Sequence, residues 1–318
     1  MTGSAIADAS GIGLMEIDQM KKEGYDAEFS CAITAASATV GPIFPPSIPM
    51  VIYAMLSGAS IGKLFMGGMV PGVLLAILLM IYVAFISHKR NYPAGVVMSK
   101  REFLRATLQA LPALFTVVIL LGGIYSGICT PTEAGAVASA YALIISALIY
   151  KHWMEKALGY HKESAANTAT LALLCGTSML FSYIISLEQV PRVVASLVMG
   201  ITDNKYIFLF IVNIVFLLLG CVLDVSTIQL VFVPMVLPLV QAMGIDLVHF
   251  GVVICLNMMI GLSTPPFGML LFIVSGLGKT KIKGVIREIL PMVLIMIGLL
   301  FLVTYVPDII MFIPNNFM

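Results

Sequence analysis

Two adjacent prolines, Pro265 and Pro266, framed by Gly261 and Gly268, interrupt an apolar run from Phe250 to Leu277 that would otherwise form one membrane helix. Each proline removes a backbone donor, and its ring clashes with the preceding turn. In hydrocarbon the freed amide and carbonyl groups must still find partners. Such a break therefore belongs where protein or a water-filled site covers it. The same break recurs at Gly41–Pro49, with Pro45-Pro46 at its centre. The rest of the chain can be read around this pair.

The chain is 60% hydrophobic and 10% charged, whereas soluble domains carry about a quarter charged residues. Apolar segments of ~20 residues recur, and alternating strands do not, which points to a polytopic helical membrane protein rather than a barrel. The net charge of +1 gives no reason to expect nucleic-acid binding. Cys31, Cys129, Cys175, Cys221 and Cys255 form no CxxC pair, so neither a disulfide framework nor a metal cluster is indicated, and they read as small buried hydrophobes. Met1 opens onto small polar residues rather than a cleavable signal peptide. The absence of a P-loop argues against direct ATP coupling. The absence of HExxH weakens an intramembrane protease reading.

In chain order, Ala5–Lys22 is predicted as one helix, followed by the broken span Ala27–Leu56 and a span at Gly67–Ser87. A basic loop runs from His88 to Arg105, and the next span from Ala106 to Ile124. Thr130-Pro131-Thr132-Glu133 has the form of a cap for a helix to Tyr150. Lys151–Glu163 reads as a polar loop, Ala166–Leu187 as a span, and Val190–Ile201 as a short interfacial helix. Tyr206–Met243 is broken near Gly220–Thr227, and Val285–Val306 closes the series. Of the 17 Lys and Arg, only Lys63, Arg192 and Lys205 fall outside the segments on the side of Lys21 and Lys22. That asymmetry assigns residues 88–105, 151–163 and 279–287 to the cytoplasm. It also requires Tyr206–Met243 to enter and leave from outside, as a re-entrant hairpin.

The sequence repeats itself at an offset of 220 residues, as between Gly41 and Gly261. Gly24 falls on Gly244, Asp26 on Asp246, Pro45-Pro46 on Pro265-Pro266, Lys63 on Lys283 and Pro71 on Pro291. Gly3 and Asp8 correspond more loosely to Gly220 and Asp224. Matches at glycines, prolines and charges repeat a backbone path, and the charge asymmetry places the copies in opposite orientation. The expected fold is thus all-α, an inverted-repeat ion-transporter architecture with re-entrant hairpins and two broken helices. Residues 1–105 are read as the C-terminal part of the first repeat. Residues 106–318 are read as the whole second repeat: scaffold helices 106–201, hairpin 205–243, broken helix 249–278 and final helix 285–306. The first limb of hairpin one and its scaffold have no counterpart, so the chain reads as N-terminally truncated.

A hairpin tip and a helix break in each repeat are expected to meet near the midplane. Unwound carbonyls and hydroxyls there are hard oxygen ligands suited to Na⁺, and half-helix N-termini favour an anionic substrate. The candidate Na⁺ ligands are Gly3, Ser4, Gly41, Pro45 and Ser47 in one set, and Gly220, Asp224, Gly261, Ser263 and Thr264 in the other. Thr2, Ser47, Ser226, Thr227, Thr264 and Pro266 are the candidate substrate contacts. Asp8, Asp224 and Glu133 are the acids nearest the apolar zone, where an ionisable group costs ~2.5–3.5 kcal/mol. Each has helix capping as an alternative role. Among the histidines, His88, His152, His161 and His249 fall at loops or span ends, away from a proton relay.

These features resemble the large membrane subunit (DctM type) of tripartite ATP-independent periplasmic transporters. The resemblance rests on Gly3-Ser4, on Gly41–Pro49 with Ser57-Gly58 and Gly62–Phe65, and on Gly122–Gly127 with Thr130–Ala134. It continues through Gly244-Ile245-Asp246, His249-Phe250-Gly251 and Gly261–Gly268, and so covers essentially the whole chain. It implies Na⁺-driven uptake of a carboxylate such as a C4-dicarboxylate or sialic acid, by an elevator movement in the bacterial inner membrane. It also implies a periplasmic substrate-binding protein and a small membrane subunit as partners, with no organic cofactor. Thr2 stands where the family more often has serine, which keeps the hydroxyl. A stand-alone anion transporter of the same architecture and an inactive remnant are the competing readings.

Overall fold

The structure, a computed structural model, describes residues 3–93, 99–149, 153–190, 200 and 204–317. No strand occurs among them, and seven of the described helices are long and apolar enough to cross a membrane. The chain is an all-α polytopic membrane protein. Two compact units are present, Met1–Pro93 with Ser178–Met318, and Ala94–Thr177.

In the first unit, α1 (Ala5–Ser10) and α2 (Ile12–Lys22) lead into α3 (Ala27–Ala38), α4 (Ile48–Ser57) and α5 (Ile61–Arg90). The single helix expected over Ala5–Lys22 is corrected: at Gly11 the backbone leaves helical geometry (φ −85°, ψ −82°) and divides it. A Cβ there would stand 2.9 Å from the Ala7 carbonyl oxygen, so the bend uses glycine's missing side chain. After the break between α3 and α4, the Ser60 hydroxyl caps α5 by accepting from the Lys63 amide. The helix carries Pro71 inside it and ends at Asn91 in the left-handed conformation. It is therefore longer at both ends than the span expected at Gly67–Ser87.

The second half of this unit holds α9 (Lys205–Val222), α10 (Val225–Ala242), α11 (Leu247–Leu262), α12 (Met269–Gly278), α13 (Ile282–Tyr305) and α14 (Asp308–Phe317). The hairpin tip narrows to Leu223 and Asp224 between α9 and α10. Helix α13 begins before the expected Val285, and α14 follows it where no further helix was anticipated. Every residue of α11 from Val248 to Leu262 is buried, as suits a helix that is apolar on all sides. Residues 191–199 and 201–203, most of the predicted interfacial helix, lie outside the described residues.

The helices of this unit pack in reciprocal pairs related by the repeat. Hairpin helix α10 packs on α4, while α1 and α2 pack on α12, the repeat counterpart of α4. Helix α3 packs on α13, while its counterpart α11 packs on α5. Each broken helix is thus held by elements of the other copy. Arg90, at the end of α5, adds a polar tie: its guanidinium donates to Asp26 (3.1 Å), to the Tyr92 hydroxyl (3.1 Å) and, through both contacts of Nη2, to Glu288 of α13 (2.7 and 2.9 Å). The Tyr92 hydroxyl donates to Asp26, and Arg90 stands 5.5 Å from the Phe29 ring centroid.

The second unit contains α6 (Lys100–Tyr125), α7 (Pro131–Ile149) and the first part of α8 (Trp153–Leu187). Two expected loops are corrected here. Lys100, Arg101 and Arg105 belong to α6, because Ser99 and Glu102 form a capping box that starts the helix early (Glu102 N to Ser99 Oγ 3.3 Å, Ser99 N to Glu102 Oε2 2.9 Å). From Trp153 onward the segment read as a polar loop is helical; it is rich in Lys, Glu, Ala and Leu, and no proline interrupts it before Leu187. Helices α6 and α7 pack on each other, with the Tyr141 hydroxyl donating to the Pro112 carbonyl at 3.1 Å. Phe103, Leu108, Leu114 and Val118 of α6 face outward, a surface suited to lipid or another membrane chain.

Candidate functional site

The two breaks have the same backbone plan. Pro45-Pro46 and Pro265-Pro266 are both cis, one offset of the repeat apart. Turn bonds satisfy much of the unwound backbone, including Phe44 N to Val40 O (3.0 Å) in the first, and Thr264 N to Gly261 O (2.9 Å) and Gly268 N to Thr264 O (3.1 Å) in the second. A Cβ on Gly268 would lie 2.8 Å from the carbonyl oxygens of both Leu262 and Thr264. Those two carbonyls therefore crowd onto one backbone position.

The hydroxyls, by contrast, sit at opposite ends of the two breaks. In the first, Ser47 is buried and caps α4, accepting from the Met50 amide at 3.3 Å while donating to the Pro42 carbonyl. Its repeat counterpart is Phe267, which is exposed. In the second break, buried Ser263 and half-buried Thr264 both donate to the Ile260 carbonyl, at 2.9 and 2.7 Å. A hydroxyl that has given up its hydrogen in this way keeps its lone pairs for an incoming cation. In the first pair Pro45 is buried and Pro46 half-buried, whereas in the second Pro265 is half-buried and Pro266 exposed.

Each break is approached by a glycine of its own repeat, Gly3 just ahead of α1 and Gly220 in the last turn of α9. Gly3 holds a left-handed backbone (φ +68°), and a Cβ on it would lie 3.0 Å from the Pro46 carbonyl oxygen and 3.3 Å from the Ile48 amide. Ser4 caps α1 through the Ala7 amide at 3.4 Å. Thr2 lies outside the described residues. In the second repeat, Gly220 seats the end of α9 directly on α11, against Met258 and Gly261. Asp224 is the N-cap of α10, its carboxylate accepting from the Ser226 amide at 2.9 Å. Half-buried Ser226 and exposed Thr227 then occupy the first turn of α10, where the helix dipole favours an anion.

The acids are now distinguishable. Asp224 caps, and Glu133 caps as the partner of Thr130 in a second capping box (Thr130 N to Glu133 Oε2 2.8 Å). Asp8 does not cap α1, since Ser4 takes that place. Its carboxylate lies against Gly41, where a Cβ would collide with it. Asp8, Glu16, Thr34, Ser37 and Gly41 line a cavity of about 260 Å³. Among the histidines, His249 is buried in the first turn of α11 and bonds the Val303 carbonyl at 3.0 Å, a link between helices.

Sequence reasoning passed over a buried amide network beside the second tip. Asn257 of α11 donates to the backbone and side-chain oxygens of Asn213, both at 2.9 Å, and Asn213 donates to Thr304 at 2.9 Å. Gln229 of α10 donates to the Pro49 carbonyl at 3.0 Å, tying the second hairpin to the first break. The side-chain oxygens of Asn257 and Gln229 are buried and find no partner among the described residues. The available signal was single amides inside otherwise apolar runs, which in membranes mark helix contacts.

Paired broken helices in a polytopic helical unit, each closely approached by a glycine of the same repeat, have the form of a membrane transporter subunit. The profile of the family described as "Tripartite ATP-independent periplasmic transporter, DctM component" matches residues 1–309. The chain belongs to this family of large permease subunits. It is 40% identical to the sialic acid TRAP transporter large permease SiaM of Vibrio cholerae, covering all of this chain and 75% of that protein. It is 39% identical to the sialic acid TRAP transporter permease SiaT of Haemophilus influenzae, over 99% of this chain and 51% of that one. With the C4-dicarboxylate large permease DctM of Pseudomonas aeruginosa it shares 37% identity, over 99% of this chain and 74% of the relative.

Proposed function

We propose that this chain is the large membrane subunit of a Na⁺-coupled, binding-protein-dependent transporter that imports an organic acid across the bacterial inner membrane. The observation that carries the reading is the close approach of a glycine to each broken helix, Gly3 to Pro46 and Gly220 to Gly261. Carbonyls of unwound backbone, with Ser47, Ser263 and Thr264, supply oxygens for Na⁺. The first turn of α10, with Ser226, Thr227, Thr264 and the exposed Pro266, supplies contacts for a carboxylate. Relatives named for sialic acid and C4-dicarboxylates support a carboxylate as cargo. A small membrane subunit and a periplasmic binding protein complete the assembly, and the segments 88–105, 151–163 and 279–287 face the cytoplasm.

The test is uptake of labelled sialic acid and of labelled succinate into proteoliposomes holding the complete membrane assembly. The expected result is uptake of an acid only with its binding protein outside and an inward Na⁺ gradient. Uptake by the membrane chains without a binding protein would instead favour the stand-alone transporter.

A further inference from the structure

We propose that Gln229 is a positioning residue for transport: its side chain sets the start of α4, and with it Ser47, against the turn of α10 that carries Ser226 and Thr227. This rests on the Na⁺ and carboxylate roles proposed above for Ser47 and for the first turn of α10. Gln229 is fully buried and stands one turn inward of Val225 and Ser226. Its amide nitrogen donates to the Pro49 carbonyl at 3.0 Å and lies 3.4 Å from Cys255 Sγ of α11. Pro49 is in the first turn of α4, directly inside the Ser47 cap. One side chain thus joins the early turns of two helices that belong to different repeats.

Packing alone does not call for this amide. The Pro49 carbonyl needs no extra donor, because inside a helix such a carbonyl accepts from the amide four residues on. Gln229 Oε1 is buried and finds no partner among the described residues, a desolvation cost that an apolar side chain of the same length would avoid. In the other copy the reciprocal contact, α1 and α2 on α12, is made without an amide. The counterpart of Gln229 there is Ala9 at the offset of 220, or Gly13 in the register that pairs Asp8 with Asp224. The architecture therefore seats hairpin helices on the opposite break without such a bond. What the bond adds is direction, since a donor and acceptor fix the rotation and height of α10 on α4 more sharply than apolar contact does. Ser47 caps the same turn of α4 that Gln229 holds. A shift of that turn moves the Ser47 hydroxyl relative to Ser226 and Thr227.

The proposal is tested by Na⁺-dependent uptake into proteoliposomes holding the complete membrane assembly, with its binding protein outside, for wild type, Gln229→Met and Gln229→Leu. Both substitutions keep an apolar side chain of similar volume and remove the donor. The expected result is a Na⁺ concentration for half-maximal uptake raised about three-fold or more, with the maximal rate changed less than about two-fold. The melting temperature in detergent should stay the same or rise, because the unpaired oxygen is gone. Ser47→Ala combined with Gln229→Met should raise the Na⁺ requirement by less than the product of the single effects, because both act through the start of α4. Ser263→Ala, at the other break, should combine with Gln229→Met multiplicatively. An unshifted Na⁺ requirement in both Gln229 variants would overturn the proposal. So would failure of both variants to accumulate, which would assign Gln229 to packing. Wild-type uptake without any Na⁺ dependence would instead overturn the reading of Ser47 as an ion ligand, and this proposal with it.

Discussion

Gly220 and Gly261 lie backbone to backbone: a Cβ added to Gly261 would stand 2.7 Å from the Gly220 Cα and 2.8 Å from its carbonyl carbon. Neither neighbour is the end of a flexible side chain, so a methyl group there must push helix α9 away. Gly261→Ala should therefore destabilise the protein by about 1–3 kcal/mol and lower its melting temperature in detergent. Gly276→Ala, at an open site in α12, should be neutral or slightly stabilising. Equal melting temperatures for the two variants would remove the close approach as a structural requirement.

Asn213 and Asn257 should behave as one unit. Losing either amide leaves a buried partner unsatisfied, which costs about 1–3 kcal/mol, although pairs inside membranes average nearer ~0.6 kcal/mol. Unfolding measurements on Asn213→Ala, Asn257→Ala and the double variant should give a double-variant loss smaller than the sum of the singles. Strict additivity would contradict the network.

Arg90 ties Asp26 to Glu288 with side chains that are partly exposed (32% for Arg90, 57% for Asp26 and 19% for Glu288). Solvent screening limits each pair to about 0.2–1 kcal/mol. Arg90→Gln should lower stability by that order. The loss should shrink as salt rises from 0.05 to about 0.5 M, and Glu288→Gln added to Arg90→Gln should cost little more. A loss that is the same at both salt concentrations would point to the packing of Arg90 over Phe29 instead.

Thr264→Ala and Ser263→Ala, in the complete transporter, should raise the Na⁺ concentration needed for half-maximal uptake by about three-fold or more, with protein abundance changed less than two-fold. Each removed hydroxyl is an oxygen that can face a cation, and loss of one charge-assisted contact is on the order of 1 kcal/mol. An unchanged Na⁺ dependence, measured with abundance controlled by immunoblot, would take both residues out of the ion site.

The sequence spoke clearly wherever a residue type forces the backbone. Pro45-Pro46 and Pro265-Pro266 mark breaks because few other residues force those geometries, and the structure breaks its helices there; Gly3 takes the left-handed backbone that favours glycine, whereas Gly220 lies within α9, three residues ahead of the turn at Leu223. It was weaker where one composition serves two structures: the polar stretch after Trp153 suits a loop or a helix surface equally, and its continuity to Leu187 decides for helix. It was silent on partners distant in the chain. Nothing local to Gln229 indicates that its amide meets Pro49, and nothing in the sequence around Phe267, the counterpart of Ser47, indicates that it is exposed. The bend at Gly11 was missed because a glycine inside an apolar helix is more often tolerated than used.

The reciprocal packing of the two copies has a consequence for how the chain is made. Helices α1 and α2 rest on α12, and α4 rests on α10. During synthesis the early helices must therefore wait in the membrane for surfaces that emerge some two hundred residues later. At about 5–20 residues per second that delay is on the order of tens of seconds. Neither copy can bury its own faces alone, so the first stable folding unit of this region is the interlocked pair.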